Sequence, residues 1–392
     1  MPYVLSVTMM VNRLRVVSPR ISKHPYLMLL YGSIAAQGVE VVDWDLTFSS
    51  IARIFDRRYA RTVVHLHWIE KIFSRKSVTT SLLFGFLGLA ALLAAKSVLR
   101  VRLVVTLHNV VPHEPKHPIL ERAFFRSYLE ICDGIVVHSG HTRTVAVRSY
   151  ALCSTKVHVI PCGNFVSFYP LSISKEKARQ ELGLPDGIFA FLSFGSIRPY
   201  KGLEDLLKAF DRLSRDDQKV YLIIAGDCED PSFRNALEEY AACHWKNMRL
   251  ILKPKFYPRN ELQIVMQAAD AAVLTHREVT TSAVLLLYMS FGKAIVASRL
   301  RFFQEVANEE FCTFYNGSVE DLTRALENTL SLGSKGARVR GRKAYVEALR
   351  YDWEDIALST VQLYRRLFAV RRRSVIDRAN IRPRLFGDDY KR

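Results

Sequence analysis

The chain has 392 residues, which is long enough for two or three domains that each bury a core. Lysine and arginine outnumber aspartate and glutamate by 56 to 38, so the formal net charge is +18 and acidic partners such as nucleotides or anionic lipids are expected. The 6 cysteines are scattered without metal-ligand spacing, which argues against a disulfide-rich secreted fold and indicates a reduced, intracellular protein.

The N-terminal segment is apolar, but Asn12, Arg13 and Arg15 interrupt it, and it has no convincing signal-peptide cleavage site. We therefore expect an uncleaved chain that begins with a β-strand. Residues 4–11 and residues 14–18 could each form that strand, and the sequence does not choose between them.

Residues 77–95 carry no charge and are just long enough to cross a bilayer as a helix. Cations flank both ends, so the segment has no inside–outside asymmetry, and a strand-like run follows a few residues later. A spanning helix would place that run on the wrong side of the membrane. Three alternatives remain, namely a spanning helix, a buried helix, and a helix partly embedded in an anionic membrane face. The flanking cations are Arg75, Lys76, Lys96 and Arg100.

Short β-rich runs alternate with helical patterns, which is typical of parallel sheets with helices on both faces. The first series of runs is 39–44, 62–68, 102–109, 134–139 and 157–161, and the second is 188–196, 220–227, 248–253, 271–275 and 294–298. A segment rich in Pro, Gly and Ser places the domain boundary near residues 165–187. We predict an α/β protein with two Rossmann-like domains that face each other across a cleft. Open α/β sheets bind ligands at the carboxyl ends of their strands, so both domains should contribute to one site.

Histidines and carboxylates follow two strands of the first series. Histidine is the side chain most readily poised to move a proton near neutral pH, and a nearby carboxylate can orient it or act as the base. A zinc site would need more compact ligand spacing. A single histidine is more often a core or loop residue, whereas two clusters just past strand ends indicate a site. The clusters are His65, His67, Trp68 and Glu70, and His108, His113 and Glu114.

The segment FLSFGSIRPYKGLEDLLKAF, residues 191–210, combines an apolar strand ending at Gly195, a basic turn and an amphipathic helix. A glycine at a strand end lets the backbone approach a ligand, and the next helix directs free N–H groups towards the same place. Arg198 and Lys201 add two cations. The pattern predicts an anion site, although an ordinary strand–loop–helix connection with solvated charges has the same local sequence.

Residues 276–298 repeat this design with hydroxyls at a helix start. Thr281, Ser282 and the free N–H groups could hold phosphate oxygens. Simple N-capping would explain both hydroxyls but would leave Glu278 without a role.

The pair Asp43 and Asp45 has a spacing that can hold a metal on a nucleotide diphosphate, but one such pair among 38 acidic residues carries little weight.

Five motifs in the same order resemble those of GT-B glycosyltransferases, and cover residues 24–300. Among these enzymes the chain is similar to family 4-like members and to bacterial exopolysaccharide mannosyltransferases of the xanthan-pathway β-mannosyltransferase type. The motifs are HPYLMLLY (24–31), VVHLHWIE (63–70), TLHNVVPHE (106–114), FGSIRPYKGLEDLL (194–207), and E-x-x-T-S followed by LLYMSFGKAIVAS (278–298).

The resemblance implies a GT-B fold and a hexosyltransferase that uses a nucleotide-diphosphate sugar, with GDP-mannose as the first expectation and a UDP-sugar as the alternative. The acceptor would be a lipid-linked glycan at the cytoplasmic membrane face. No metal and no cofactor is expected, because protein cations would stabilise the leaving diphosphate. The implied donor-binding residues are Gly195, Arg198, Lys201, Asp227, Tyr257, Glu278, Thr281 and Ser282, and the implied acceptor-side residues are His67, Trp68 and His113.

Two departures from the family pattern stand in the nucleotide-sugar segment. Many such enzymes carry a second glutamate eight residues after the first, where this chain has Leu286, and Ala283 stands where related enzymes have glycine.

If transfer inverts the anomeric centre, a base must take the proton of the acceptor hydroxyl. The candidates are Glu114, His108 and Glu70. If transfer retains configuration, His108 would only position the donor sugar.

The expected organisation is an acceptor domain at 1–170, a nucleotide-sugar domain at 187–350, a helix at 351–370 that crosses back to the first domain, and a basic tail at 371–392. The charge would also suit nucleic acid, but aromatic-interleaved basic repeats and known binding modules are missing from the sequence, so no nucleic-acid partner is expected. We expect a cytoplasmic protein held peripherally or monotopically at an anionic membrane surface.

Overall fold

The computed structural model describes residues 14–19, 21–44, 61–110, 115–216 and 219–369. Within these ranges the chain forms two six-stranded sheets, and the paired strands in both sheets are parallel. The predicted α/β architecture with two Rossmann-like domains is therefore confirmed.

The strands follow the two predicted series, with one addition. Of the two alternatives for the first strand, residues 14–18 lie in a strand. The other alternative, residues 4–11, lies outside the described part of the chain. The first sheet contains β1 (Leu14–Pro19), β2 (Glu40–Trp44), β3 (Arg61–His67), β4 (Arg102–Thr106), β5 (Gly134–Val137) and β6 (Val157–Val159). The second contains β7 (Phe189–Phe194), β8 (Val220–Ala225), β9 (Leu250–Lys253), β10 (Ala271–Leu274), β11 (Ala294–Ser298) and β12 (Cys312–Tyr315), of which the sequence analysis does not predict β12.

Strand order brings the functional segments together. The order is β2-β1-β3-β4-β5-β6 in the first sheet and β12-β11-β10-β7-β8-β9 in the second. The neighbours β3, β4 and β5 thus end side by side, and so do β10, β7 and β8. Because parallel strands carry their carboxyl ends on one edge, each sheet collects the residues after three strands in one place.

The helices cover the sheet faces and close the two domains. Those in the first domain are α1 (Pro25–Ala36), α2 (Glu70–Phe73), α3 (Val78–Val98), α4 (Pro118–Ile131) and α5 (Gly140–Tyr150). They are followed by α6 (Lys175–Leu182), α7 (Leu203–Asp216), α8 (Pro231–Met248), α9 (Leu262–Ala268), α10 (Ala283–Ser290), α11 (Arg301–Val306), α12 (Val319–Ser331), α13 (Gly333–Ala348) and α14 (Trp353–Ala369).

Helix α7 illustrates why the sequence folds as it does. Its apolar residues recur at helical spacing, and all of them are buried against the second sheet, whereas Glu204 and Asp205 in the first turn complement the positive end of the helix dipole. The preceding Gly202 has φ +65°, and a Cβ there would lie 2.3 Å from the carbonyl oxygen of Thr275. The loop can therefore turn tightly into α7 only with glycine at this position. The buried residues are Leu203, Leu206, Leu207, Phe210 and Leu213.

The last helix, α14, packs against α1 and β4 of the first domain. The Tyr364 hydroxyl lies 2.5 Å from Nδ1 of the buried His65 at the centre of the first sheet. At its start, the Trp353 indole donates a hydrogen bond of 2.5 Å to the carbonyl oxygen of Asn164. The C-terminal helix is thus part of the core of the first domain.

Helix α3 lies on the surface, so the alternative of a buried helix for residues 77–95 is wrong. Only Ser81, Gly85 and Leu92 of this helix are buried, because the small residues on one narrow face pack against α4 while the rest faces outward. Among the described helices, α3 alone is long and apolar enough to cross a membrane by length and composition. Since α3 connects two neighbouring strands of one sheet, β3 and β4, it runs alongside that sheet.

Candidate active site

The donor loop predicted from the sequence begins at Gly195, directly after β7. Its φ is +109°, and a Cβ at this position would lie 3.0 Å from Nζ of Lys201 and 3.1 Å from a methyl carbon of Val284 in the first turn of α10. The backbone of Gly195 therefore lies between an ammonium group and a helix N-terminus. Any other residue would separate the two and fill the space between them.

Lys201 ends a short 3-10 helix, Pro199–Lys201, that follows the loop. Its carbonyl oxygen accepts a hydrogen bond of 2.6 Å from the Thr275 hydroxyl just beyond β10, which fixes the backbone. Among the described residues, none forms an ion pair or a hydrogen bond with its ammonium group. Burial and the nearby charge of Arg198 lower the pKa of Lys201 to about 8. A half-buried, uncompensated cation of this kind is suited to an anionic ligand.

The other predicted residues of the donor side lie around the same loop. Arg198 forms an ion pair of 2.5 Å with the exposed Glu229, which holds the guanidinium at the edge of the loop. The carbonyl oxygen of Asp227 accepts a hydrogen bond of 2.6 Å from the amide of Ile197, so this residue shapes the loop through its backbone. Tyr257 lies with its ring centre 5.8 Å from that of Phe194, at the end of β7.

The second predicted phosphate segment forms the start of α10. Ser282 is the N-cap residue, but its side chain makes no capping hydrogen bond, and the Thr281 hydroxyl donates to the carbonyl oxygen of Thr280 at 2.8 Å. Neither hydroxyl therefore accepts a hydrogen bond from the first-turn N–H groups of α10, so these groups can bind another acceptor. Glu278 is exposed and has no partner among the residues that the structure describes. Simple N-capping does not account for this arrangement.

A row of histidines follows the strand ends of the first sheet. His67 is the last residue of β3, and its Nδ1 lies 3.0 Å from Nε2 of His108, which follows β4. Next to them, the imidazole of His138 follows β5, with ring centres 5.3 Å from His108. Burial and neighbouring histidines lower the pKa values of His67 and His108, so both rings are neutral at physiological pH.

Trp68 lies beside this row just beyond β3, whereas the charged neighbours of Glu70 are Lys71 and Glu121. The Trp68 ring stacks on His108 with centres 4.3 Å apart and an angle of 13° between the planes. Glu70 begins α2, and burial raises the pKa of its carboxyl group, which suits a general base that works near neutral pH. His113 and Glu114 lie outside the described residues.

The first and second domains contact each other beside these residues. The Thr142 hydroxyl of α5 donates a hydrogen bond to the carbonyl oxygen of Thr280 in the second domain. The Glu305 carboxylate of α11 accepts from the backbone N–H groups of Gly140 and His141, at 2.8 and 2.7 Å, at the start of α5. Since α5 begins directly after His138, these contacts place the histidine row next to the start of α10.

Several residues of this arrangement are not among the predicted site residues. His138 follows a strand end as His67 and His108 do, so strand position alone could have revealed it. Tyr31 contacts His67 from α1, and Tyr364 contacts the neighbouring His65 from α14. Glu305 contacts α5 from the other domain. They carry no local signal, because only the tertiary fold brings them to the site.

Comparison with known protein families identifies the family of this chain. Residues 174–345 match the family described as "Glycosyl transferases group 1", and residues 47–164 match "Glycosyltransferase Family 4". These two matches lie in the second and the first domain, respectively. The chain is a glycosyltransferase of the GT-B type.

This glycosyltransferase is similar to two curated relatives whose names include a lipid. It is 28% identical over 280 residues, 71% of each chain, to the GDP-mannose:glycolipid 4-beta-D-mannosyltransferase of Xanthomonas campestris pv. campestris. It is 25% identical over 218 residues to the alpha-monoglucosyldiacylglycerol synthase of Streptococcus pneumoniae, covering 54% of this chain and 48% of the relative. The enzyme class and the GT-B resemblance predicted from the sequence are confirmed.

Solved structures share the fold of this glycosyltransferase over 90% or more of its length. The sucrose-phosphate synthase of Thermosynechococcus elongatus superimposes with a TM-score of 0.68 at 19% identity, covering 92% of this chain and 100% of that one. Anabaena HepE in complex with UDP and glucose gives a TM-score of 0.66 at 17% identity, covering 90% and 99%. At these identities the likeness concerns the GT-B fold.

The lowered pKa of Lys201 leads to a prediction about pH. Since this ammonium is protonated below about pH 8 and neutral above it, kcat/KM for the sugar nucleotide should fall by about tenfold per pH unit above that point. Lys201→Arg keeps its charge throughout this range and should lose the descending limb, although its absolute rate will be lower because the guanidinium has a different shape. The measurement is the initial rate at low donor concentration from pH 6 to pH 10.

Circular dichroism at each pH serves as the control for unfolding. A flat wild-type profile, or the same descending limb in Lys201→Arg, would contradict the assignment of the titrating group to Lys201.

Proposed function

We propose that this glycosyltransferase transfers mannose from GDP-mannose to a lipid-linked glycan. The observation that carries the donor chemistry is the convergence of the Lys201 ammonium and the first turn of α10 on Gly195. The choice of GDP-mannose and of a glycolipid acceptor is supported by the similarity to the Xanthomonas enzyme, whose name specifies both.

The donor side would act on the leaving group. As the bond between the sugar and the nucleoside diphosphate breaks, negative charge builds on the terminal phosphate. Lys201 and the N–H groups of α10 are already in place to stabilise that charge, and Arg198 can join them from its position beside Glu229. We therefore propose that transfer requires no metal. Glu278, exposed beside Thr281 and Ser282, would contact the donor sugar or ribose.

The acceptor side would remove a proton from the attacking hydroxyl. The name of the Xanthomonas relative specifies a β-linked product, and formation of a β-mannoside from an α-linked sugar nucleotide inverts the anomeric centre. Inversion in one step requires a base on the acceptor side. Among the described candidates, His108 is neutral and Glu70 has a raised pKa, so each is chemically suited to the role. Glu114 stays a third candidate.

A donor panel tests this proposal. With a membrane extract as acceptor source, we expect nucleotide release from GDP-mannose and none above background from UDP-glucose, UDP-glucuronate or UDP-GlcNAc. Arg198→Ala and Lys201→Ala should each lower kcat by roughly 100-fold to 1,000-fold, because each removes a preformed charge that stabilises the transition state. NMR of the product should show a β-linkage.

The control is Lys335→Ala, which removes an exposed lysine of α13 and should leave the rate unchanged. Release from a UDP-sugar instead of GDP-mannose would select the alternative donor. Wild-type turnover in a well-folded Lys201→Ala protein would contradict the donor site itself.

We further propose that α3 lies in the membrane interface beside the acceptor side of the cleft. Seven large apolar side chains of this helix are exposed, and it packs against α2, which begins immediately after Trp68 and Ile69. An apolar face of this size is typical of an interaction surface. The exposed residues are Val78, Leu83, Phe84, Phe86, Leu87, Leu93 and Val98.

The charges around α3 favour an anionic lipid surface as its partner. The Arg75 guanidinium lies 4.9 Å from the ring centre of the exposed Phe84, so a cation and an apolar side chain face outward together. Lys76 and Arg100 add exposed positive charge at the two ends. Lys96 differs from the other flanking cations because it forms an ion pair of 3.0 Å with Asp133. Cations beside exposed apolar groups bind anionic bilayers through both interactions.

Vesicle binding tests the role of α3. The triple variant Leu83→Gln, Phe86→Gln, Leu87→Gln should lower partitioning onto vesicles of phosphatidylglycerol and phosphatidylcholine by roughly tenfold or more, because three apolar side chains no longer leave water. Binding to vesicles of phosphatidylcholine alone should be weaker for the wild type. Flotation of purified protein measures both effects.

The matched control is the pair Val346→Gln and Leu349→Gln, which changes exposed apolar residues at the end of α13 in the second domain. This control should bind as the wild type does. If the α3 variant and the wild type bind equally well, α3 is not the membrane contact.

A further inference from the structure

We propose that a cationic groove at the edge of the first sheet, lined by α5, β6 and α14, is a binding site for a phosphate group. None of its lining residues belongs to the donor or the acceptor side of the cleft. The headgroup of an anionic lipid and a soluble phosphorylated compound are two sources of the same chemistry. The site can therefore be tested with dissolved phosphate and without any sugar donor.

The groove exists because β6 is the last strand of its sheet. In the part of the chain that the structure describes, β6 pairs with β5 alone, so its other edge is not covered by a strand. Helix α5 packs against β6, and side chains of α14 close the groove from the other side. The cavity has a volume of about 360 Å³, which is larger than a phosphate ion and leaves room for the group that carries it.

Arg143 of α5 is fixed at this groove by neutral acceptors. Its Nε donates to the carbonyl oxygen of Val157 at 3.2 Å, and a terminal nitrogen donates to that of Ser154 at 3.1 Å. No carboxylate of the described residues forms an ion pair with this guanidinium. Since a guanidinium has five N–H donors, three of them are left for a ligand. The side chain is thus held in place with its charge uncompensated.

A second uncompensated guanidinium comes from α14. Within the described ranges, Arg366 forms neither an ion pair nor a hydrogen bond. His158 of β6 lines the groove with both arginines, and its pKa is lowered by burial and then by the charges of Arg366 and Arg143. The lining contains no aspartate or glutamate. The groove therefore carries a positive potential that its own residues do not neutralise.

The arrangement of these donors favours a phosphate over a carboxylate. The two oxygens of a carboxylate lie in one plane and match a single guanidinium fork. The oxygens of a phosphate are tetrahedral, so one group can accept hydrogen bonds from guanidiniums on α5 and on α14 together. The exposed Ser359 hydroxyl and Gln362 amide of α14 line the same groove and add neutral donors.

The position of the groove is compatible with both sources of phosphate. At the end of α3, the Lys96 ammonium donates to the carbonyl oxygen of Ile131 at 2.6 Å, and Lys156 donates to that of Cys132 at 3.2 Å. Lys156 directly precedes β6, so the end of α3 and the start of β6 meet at the end of α4. The lipid source rests on the proposed membrane contact of α3, whereas a soluble source does not depend on it.

NMR of protein labelled with ¹³C-histidine tests the site, because the His158 signals report on this groove. His158→Gln assigns them. On titration with inorganic phosphate, at ionic strength held constant with chloride, we expect a saturable shift of the His158 signals at millimolar concentration. Lys201→Met should show the same response, since phosphate at the donor loop binds in the other domain.

Arg366→Gln should weaken phosphate binding at His158 by roughly tenfold, because a charge-assisted hydrogen bond is lost. This variant should fold normally, since Arg366 makes no hydrogen bond to the described residues. Adding Arg143→Gln should abolish the response. The matched control is Arg122→Gln, which removes an exposed arginine that also donates to a backbone oxygen, that of Ser149 at 3.2 Å, outside the groove. Its phosphate affinity should equal that of the wild type.

Flotation with vesicles of phosphatidylglycerol and phosphatidylcholine identifies the source. If the double variant Arg143→Gln, Arg366→Gln loses vesicle binding that Arg122→Gln retains, the groove holds a lipid headgroup. If the double variant floats as the wild type does but no longer responds to phosphate, the ligand is a soluble phosphorylated compound. Each of these results supports the site.

Two results would overturn the proposal. One is a wild-type His158 spectrum that phosphate leaves unchanged, and the other is an equal response in the wild type and in a folded Arg366→Gln protein. The titration uses neither sugar donor nor acceptor. A protein that transfers no sugar can therefore still confirm the groove, and a failed titration would leave the proposed transfer reaction intact.

Discussion

The approach of the Lys201 ammonium and the start of α10 to the backbone of Gly195 is the contact on which the proposed chemistry depends. It exists because β7 ends at a residue with φ +109° that has no side chain to separate the two groups. The Tyr288 hydroxyl of α10 accepts a hydrogen bond of 2.6 Å from the amide of Phe194, so the helix and the strand end are fixed to each other. The positive groups therefore converge before any ligand arrives. Such preorganisation lets them stabilise charge without rearrangement during the reaction.

Contacts between the two domains place the histidine row of the first domain next to the start of α10. Glu305 caps the start of α5 across the cleft, and Thr142 donates to the Thr280 carbonyl two residues before Ser282. His138 lies between β5 and the start of α5. A bound sugar could thus touch both the phosphate-binding helix and the histidine row.

The sequence predicts features that are encoded locally. Gly195, Arg198 and Lys201 stand in one short segment whose strand, turn and helix can each be recognised, and the two strand series follow from their apolar runs. The surroundings of the histidine row were only partly predictable, because Tyr364 lies 299 residues from His65, the neighbour of His67, and only the fold brings them together. The strand β12 is a short run without alternation, so it has no periodic signal. Helix α3 is apolar all round, and its sequence therefore does not indicate which face is exposed.

Titration calorimetry with GDP and GMP tests most directly whether the Gly195 loop is a diphosphate site. The two nucleotides differ only in the terminal phosphate that Lys201 and α10 would hold. We predict that the wild type binds GDP at least about tenfold more tightly than GMP, and that Lys201→Met removes most of this difference while leaving GMP affinity unchanged. The exposed Lys335→Met variant should behave as the wild type does. Equal affinity of the wild type for GDP and GMP would contradict the account.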